Sequence, residues 1–178
     1  DYQVNSKDAY KIQEEINNTL SKNGLGKIIG YKIGCTNKSI QKELDIIEPI
    51  YGALFKKKVI KNNSNISLKN FIKVGVECEL YVTVAKNITN KDHLSKEKIE
   101  NLFDYCGLSL EIVEDRFAEI KKNKIEHVII DGSLGNSIIL NKKITNQFSN
   151  YSKFIGRSFL NNQEVYSSFS DSILGNPL

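Results

Sequence analysis

The chain has 178 residues, 40% of them hydrophobic and 26% charged, with 25 Lys and Arg against 21 Asp and Glu for a formal net charge of +4. This suits one α+β-sized domain, 1–178, with enough apolar material for a core. There is no run of about 18 apolar residues and no charged stretch leading into an apolar one, which argues against a membrane span or a signal peptide and points to the cytoplasm.

Arg116 and Arg157 are the only arginines, and the lysines interleave with acids, as in "KDHLSKEKIE". That pattern lacks the clustered arginine and focused field of a nucleic-acid reader. Cys35, Cys78 and Cys106 are widely spaced with no C-x-x-C pair, so reduced thiols are expected rather than a disulfide framework or zinc ribbon. The first residue is Asp and no methionine occurs, so the chain is not expected to open at a translation start.

The first element is a helix over about 6–22, with Ala9, Ile12, Ile16 and Leu20 at helical spacing, Ser6 as its cap and Gly24 as its stop. "KIIGYKIGCT" reads as a strand whose glycines imply close backbone approach or a bulge. "NKSIQKELDI" predicts a short helix from near Asn37, "EPIYGALF" a turn into a strand, and "KNNSNISL" a polar loop. "VGVECELYVTV", residues 74 to 84, is the clearest strand. "SKEKIENLFDYC" predicts a helix capped by Ser95 with Ile99, Leu102 and Phe103 on one side. "LSLEIVEDRF" is a strand with Leu108, Leu110 and Ile112 on one face. "EHVIID" and "NSIILN" read as strands flanking the turn "DGSLG", and "SKFIGRSFLNNQEVYSSF" as a hairpin around Asn161-Asn162. The sum is α+β, with strands dominant from residue 66 onward.

A strand puts residues i and i+2 on one face, so Glu77 and Glu79 project side by side. Either they form the wet face of a strand whose Val76, Cys78, Leu80, Val82 and Val84 meet the core, or they hold a divalent ion, since burying both without a cation is costly. Glu111, bracketed by Leu110 and Ile112, is a third acid on a second strand, and an all-oxygen set suits Mg²⁺ or Mn²⁺ better than zinc. Lys32, inside the apolar "GYKIG", is either an edge-strand lysine or a cation aimed into a pocket. His93 and His127 lack a partner at a telling spacing and read as structural or exposed. Cys35 and Cys106 read as packing residues, and Asp131 with "DGSLGN" as a turn first and a substrate loop second.

Taken in order, "DAYKIQ", "GYKIGCTNKSIQKELDI", "EPIYGALF", "VECELYVTV", "LSLEIVEDRF" and "LNNQEVYSSFSDSILGNPL" resemble the 2-keto-4-pentenoate hydratase family, which includes 4-oxalocrotonate decarboxylase and belongs to the fumarylacetoacetate hydrolase superfamily. The resemblance implies a rolled mixed β-sheet with peripheral helices. It also implies Mg²⁺ or Mn²⁺ on Glu77, Glu79 and Glu111, catalytic Lys32, and Thr36 and Asp131 as substrate-binding residues. The implied chemistry is hydration or decarboxylation of short 2-oxo or 2-hydroxydienoic acids from aromatic catabolism, through an enolate that the ion stabilises. Departures accompany it. "PIYG" places Ile50 where hydratase members carry an acid, an aliphatic choice closer to the decarboxylases. Gly132 replaces an asparagine of the substrate loop. Family members also continue past "LGNPL", so the C-terminal part of the roll is expected to be lacking here. A homo-oligomer, or a complex with a homologous enzyme, could then cover the exposed edges. The second expectation is a degenerate, non-catalytic member that binds a small acid or serves as a partner subunit.

Overall fold

The computed structural model of the chain describes residues 4–88, 100–117, 124–145 and 154–175, with 142–145 described by backbone alone. Its elements are α1 Ser6–Leu20, β1 Ile28–Gly34, α2 Lys38–Glu43, β2 Ile50–Phe55, β3 Val59–Ile60, β4 Val74–Val84, β5 Phe103–Glu114, α3 Ile125–Ile130, β6 Gly135–Thr145, β7 Ile155–Leu160 and β8 Gln163–Phe169. The architecture is α+β. Its sheets are β1-β2, a four-stranded β3-β6-β5-β4, and β7-β8. Pairing is antiparallel in β1-β2 and β7-β8 and parallel in β3-β6. No helix among the described residues is long and apolar enough to cross a membrane. The chain divides into two compact units, Asp1–Glu77 with Glu111–Ile139 and Cys78–Leu110 with Leu140–Leu178, and the chain passes from one to the other inside β4, β5 and β6.

In the first unit, Asn5 rather than Ser6 caps α1, its Oδ1 accepting from the Asp8 N–H at 3.0 Å. The helix is also rotated from the expected face. Ala9, Gln13 and Asn17 are buried, while Ile12, Ile16 and Leu20 stand 38–39% exposed. Gln13 explains the rotation: its Nε2 donates to the carbonyls of Tyr51 and Ile129, capping two backbone acceptors that burial would otherwise leave bare. Ile16 and Leu20 instead border a cavity of about 610 Å³. The core joins Ala9, Ile50, Val128 and Ile129, and the rings of Tyr10 and Tyr51 stack at 4.2 Å.

"EHVIID" is helical, not extended: it forms most of α3. Its β-branched residues favour a strand by propensity, but Ile125, Val128 and Ile129 also fit i, i+3, i+4 spacing, and packing on α1 decides the outcome. The helix closes with Gly132, Ser133 and Leu134 all at positive φ (84°, 59° and 62°) and with the Ser133 N–H donating back to the Val128 carbonyl at 2.8 Å, a Schellman-type stop.

In the second unit, Ser95 and Ile99 of the expected helix lie outside the described residues, as does His93. Leu102 ends a short 3₁₀ turn and Phe103 already begins β5. The β7–β8 hairpin turns on Asn161 and Asn162 at φ 51° and 66°, the left-handed pair that a two-residue turn of this hand requires. Cys106 is buried, Cys35 half-buried and Cys78 exposed, all as free thiols.

Two contacts in the first unit lend themselves to measurement. A methyl added at Gly52 would run into the Gly132 carbonyl, with its carbon only 2.8 Å away. Gly52→Ala is therefore expected to lower unfolding stability in urea by about 1–3 kcal/mol, whereas Gly30→Ala, which meets nothing within 4 Å, should change it by less than about 1 kcal/mol. Glu114 accepts from Ile72 N–H (3.0 Å), Asn136 Nδ2 (2.9 Å) and Arg116 (3.1 Å), and these bonds hold its carboxyl below the ordinary 4.5. The folded state thus favours the ionised form, so the contribution is full above the unfolded value and fades as pH falls through the lower folded one. Glu114→Gln should lose about 1–2 kcal/mol at pH 7, with the gap to wild type closing on acidification.

Candidate metal centre

The sheet order makes β4 and β5 neighbours, and Lys73–Asp115, Gly75–Val113 and Tyr81–Gly107 share one register. Asp115 N–H donates to the Lys73 carbonyl and Ala85 N–H to the Leu102 carbonyl, each at 2.8 Å, which makes the pair antiparallel. A Cβ on Gly75 would meet Val113 at 2.9 Å, and one on Gly107 would collide with the Tyr81 ring. Between these two points Glu77 stands opposite Glu111, and Glu79, the next residue but one on the same strand, stands opposite Ser109. Glu77, Glu79 and Glu111 each offer a carboxylate oxygen, all within 4.8 Å of one another. They grade from exposed Glu77 through half-buried Glu79 to Glu111 at 4% exposure.

This reverses the inside-out order expected of alternating strands. Ser109 and Glu111 are buried, while Leu108 and Leu110 stand 44% and 36% exposed and Val76 61%; of the three residues expected on the apolar face of β5, Ile112 alone is buried, at 3% exposure. Strand β1 repeats the reversal: Ile29, Tyr31 and Ile33 are exposed, and the Lys32 side chain is only 10% exposed. Lys32 is therefore not a solvated edge lysine. It pairs across β1–β2 with Gly52, and its Nζ lies 3.3 Å from Glu111 Oε1. The well-directed hydrogen bond from Nζ goes to the Ser133 carbonyl at 2.8 Å. The lysine thus attracts Glu111 through space, while Glu111 Oε1 is left buried with no hydrogen bond. Burial pushes the Glu111 carboxyl up; Lys32 pulls it down, and Glu77 pushes it up again.

Glycines make this arrangement possible. The bare Cα of Gly52 lets the turn after α3 lie directly on β2, where Ser133 Oγ donates to the Tyr51 carbonyl at 2.9 Å and the Ser133 carbonyl reaches Lys32. A Cβ on Gly135 would sit 3.5 Å from Glu111 Oε1 and 3.9 Å from Lys32 Cε, so glycine leaves room beside the orphaned oxygen. Arg116 holds both ends of that turn. It grips Asp131 through two 2.7 Å bonds, reaches the Gly135 carbonyl at 3.3 Å and pairs with Glu114 at 3.1 Å. These hydrogen bonds, Asp131 first, push the guanidinium pKa up. Arg116 and Gly52 escaped the sequence reading, which took Ser133 and Gly135 only as part of a turn or substrate loop. The acid-x-Arg at the end of "LEIVEDR" and the small residues of "DGSLG" were the available signals.

The other expected site residues are placed as follows. Thr36 is half-buried in the loop leaving β1. Beside it Cys35, at φ 58°, has its thiol pushed up by burial, with smaller opposing influences from Lys32 and Glu77, which places this loop near the acids. The Asp131 carboxylate is engaged with Arg116. His127 lies on α3 and lines the 610 Å³ cavity.

Three carboxylate oxygens converge within 4.8 Å of one another beside one ammonium, and one buried oxygen lacks a hydrogen bond. A hard divalent cation fits both facts.

No family model matches the chain. A 2-keto-4-pentenoate hydratase of Burkholderia vietnamiensis is 31% identical over 111 residues, 62% of this chain and 42% of that protein. A 2-oxo-hept-4-ene-1,7-dioate hydratase of Escherichia coli is 30% identical over 144 residues, 78% of this chain and 53% of that one. In fold, the chain is similar to 4-oxalocrotonate decarboxylase from Pseudomonas putida G7, solved with magnesium and adipate, at a TM-score of 0.85 and 20% identity over 98% of this chain and 66% of that structure. The chain thus spans about half the length of the curated relatives it matches. The chain is thus similar in sequence to 2-keto-4-pentenoate and 2-oxo-hept-4-ene-1,7-dioate hydratases and in fold to 4-oxalocrotonate decarboxylase.

Proposed function

We propose that the chain carries the cation-binding site of a lyase acting on short 2-oxo or 2-hydroxydienoic acids, by hydration or decarboxylation. The observation that carries this reading is the convergence of Glu77, Glu79 and Glu111 beside a buried Lys32, with Glu111 Oε1 lacking a hydrogen bond. The three glutamates would hold Mg²⁺ or Mn²⁺, and the ion would supply Lewis acidity at a 2-oxo carboxylate. The chain's own groups do the rest. An ammonium has three donors; Ser133 accepts one from Lys32, which holds the group in place to balance an anionic substrate and to hold or deliver a proton at Nζ. Thr36 would contact the substrate from the loop beside Cys35, and Asp131 would act through the turn that Arg116 clamps to it. The rolled sheet of the fumarylacetoacetate hydrolase type, and assembly with a second copy or a homologous enzyme, belong to the same proposal.

Ile50 bears on the choice between the two reactions. It is 5% exposed and packs with Ala9, Val128 and Ile129. The position at which the hydratases' pattern has an acid is thus core packing here, and no acid-base group is supplied from it. That favours decarboxylation, whereas the named sequence relatives are hydratases.

Titration calorimetry tests the proposal. Mg²⁺ and Mn²⁺ should bind the wild type, and Glu111→Gln or Glu77→Gln should weaken binding by at least about tenfold. Lys32→Met should keep or tighten the metal, since it removes a positive charge, while losing affinity for pyruvate as the smallest 2-oxo acid. A chain that binds neither ion, or a Glu111→Gln variant that binds as the wild type does, refutes the reading.

A further inference from the structure

Among the described residues, two buried side-chain polar atoms have no hydrogen-bond partner: Glu111 Oε1 and Ser109 Oγ. They sit two residues apart on β5, which puts them on one face. Ser109 is 4% exposed. The glycine contacts that set the register, Gly75 on Val113 and Tyr81 on Gly107, place Ser109 opposite Glu79, where facing Cβ atoms in an antiparallel pair lie about 4.5–5.5 Å apart. On its other side the Tyr81 ring lies over Gly107, with the Tyr81 hydroxyl donating to the Asn141 carbonyl at 2.9 Å. Ser109 is thus flanked along its strand by the tyrosine-covered glycine and by Glu111.

A hydroxyl buried without a partner is a liability. Leaving it unsatisfied is unfavourable, and an alanine in its place would remove the problem. Mg²⁺ offers the missing partner: it sheds its hydration reluctantly and keeps several waters when only a few carboxylates bind it. We propose that Ser109 is a positioning residue of the metal centre, its hydroxyl hydrogen-bonded to a water of the cation's shell on the Glu79 side. This rests on the metal reading above. It adds a polar group to the site that the three-glutamate pattern does not contain, and it gives the second orphaned atom the same cause as the first.

The test compares wild type, Ser109→Ala and Ser109→Cys by Mg²⁺ calorimetry and by thermal unfolding without metal. Cysteine keeps the shape but is a weak donor, and a thiol does not suit a hard ion. Both variants should bind Mg²⁺ about tenfold more weakly, the size usual for losing an outer-shell partner. Their metal-free Tm should be unchanged or higher, because an unsatisfied hydroxyl has been removed. A merely structural serine would show the reverse, with a lower metal-free Tm and unchanged affinity. Wild-type affinity in either variant overturns the role of Ser109 while leaving the metal centre standing. Failure of the wild type itself to bind Mg²⁺ overturns both, and the two failures are read from different proteins.

Discussion

Glu111 is a carboxylate at 4% exposure with one oxygen that nothing hydrogen-bonds, and the nearest positive charge, Lys32 Nζ at 3.3 Å, directs its hydrogen bond elsewhere. Burying an ionised acid is among the least favourable acts in folding unless a partner of opposite charge is present. Here two more carboxylates each bring an oxygen within 4.8 Å. The fold around the site accordingly manages negative charge. One lysine is brought in from β1, Val76, Leu108 and Leu110 are turned outward, and Gly135 leaves space beside the orphaned oxygen.

That management depends on backbone approach more than on side-chain packing. Lys32 is held by a carbonyl in the turn after α3, and the turn can reach it only because Gly52, opposite Lys32 on β2, has no Cβ. The turn has left-handed residues at Gly132, Ser133 and Leu134 and is clamped at both ends by Arg116, which is itself held by Glu114. The ion-pair cluster at the end of β5 therefore works at a distance. It fixes the loop that fixes the lysine. Gly135, the first residue of β6, leaves room beside Glu111 and Lys32 that a side chain would occupy.

Much of this was legible in the residues, for identifiable reasons. The E-x-E spacing and the acid in "LSLEIV" named the three glutamates because strand periodicity is strict, and "GYKIG" named Lys32 because a lone charge in an apolar run is conspicuous. Periodicity did not say which face is inside. Leu108 and Leu110 look like core, yet Ser109 and Glu111 are the buried residues of the four. Tertiary override turned α1 onto Gln13 and made "EHVIID" a helix, each through contacts between residues far apart in the chain. The glycine approaches and the Arg116 clamp were hidden for that reason too: close contact and bidentate pairing are pairwise facts that one sequence does not state.

The most direct measurement is a crystal structure grown with Mn²⁺ and read by anomalous scattering. The account predicts one peak bonded to an oxygen from each of Glu77, Glu79 and Glu111, with Lys32 Nζ still bonded to the Ser133 carbonyl. No peak in this cluster, or an ion held without Glu111, would contradict it.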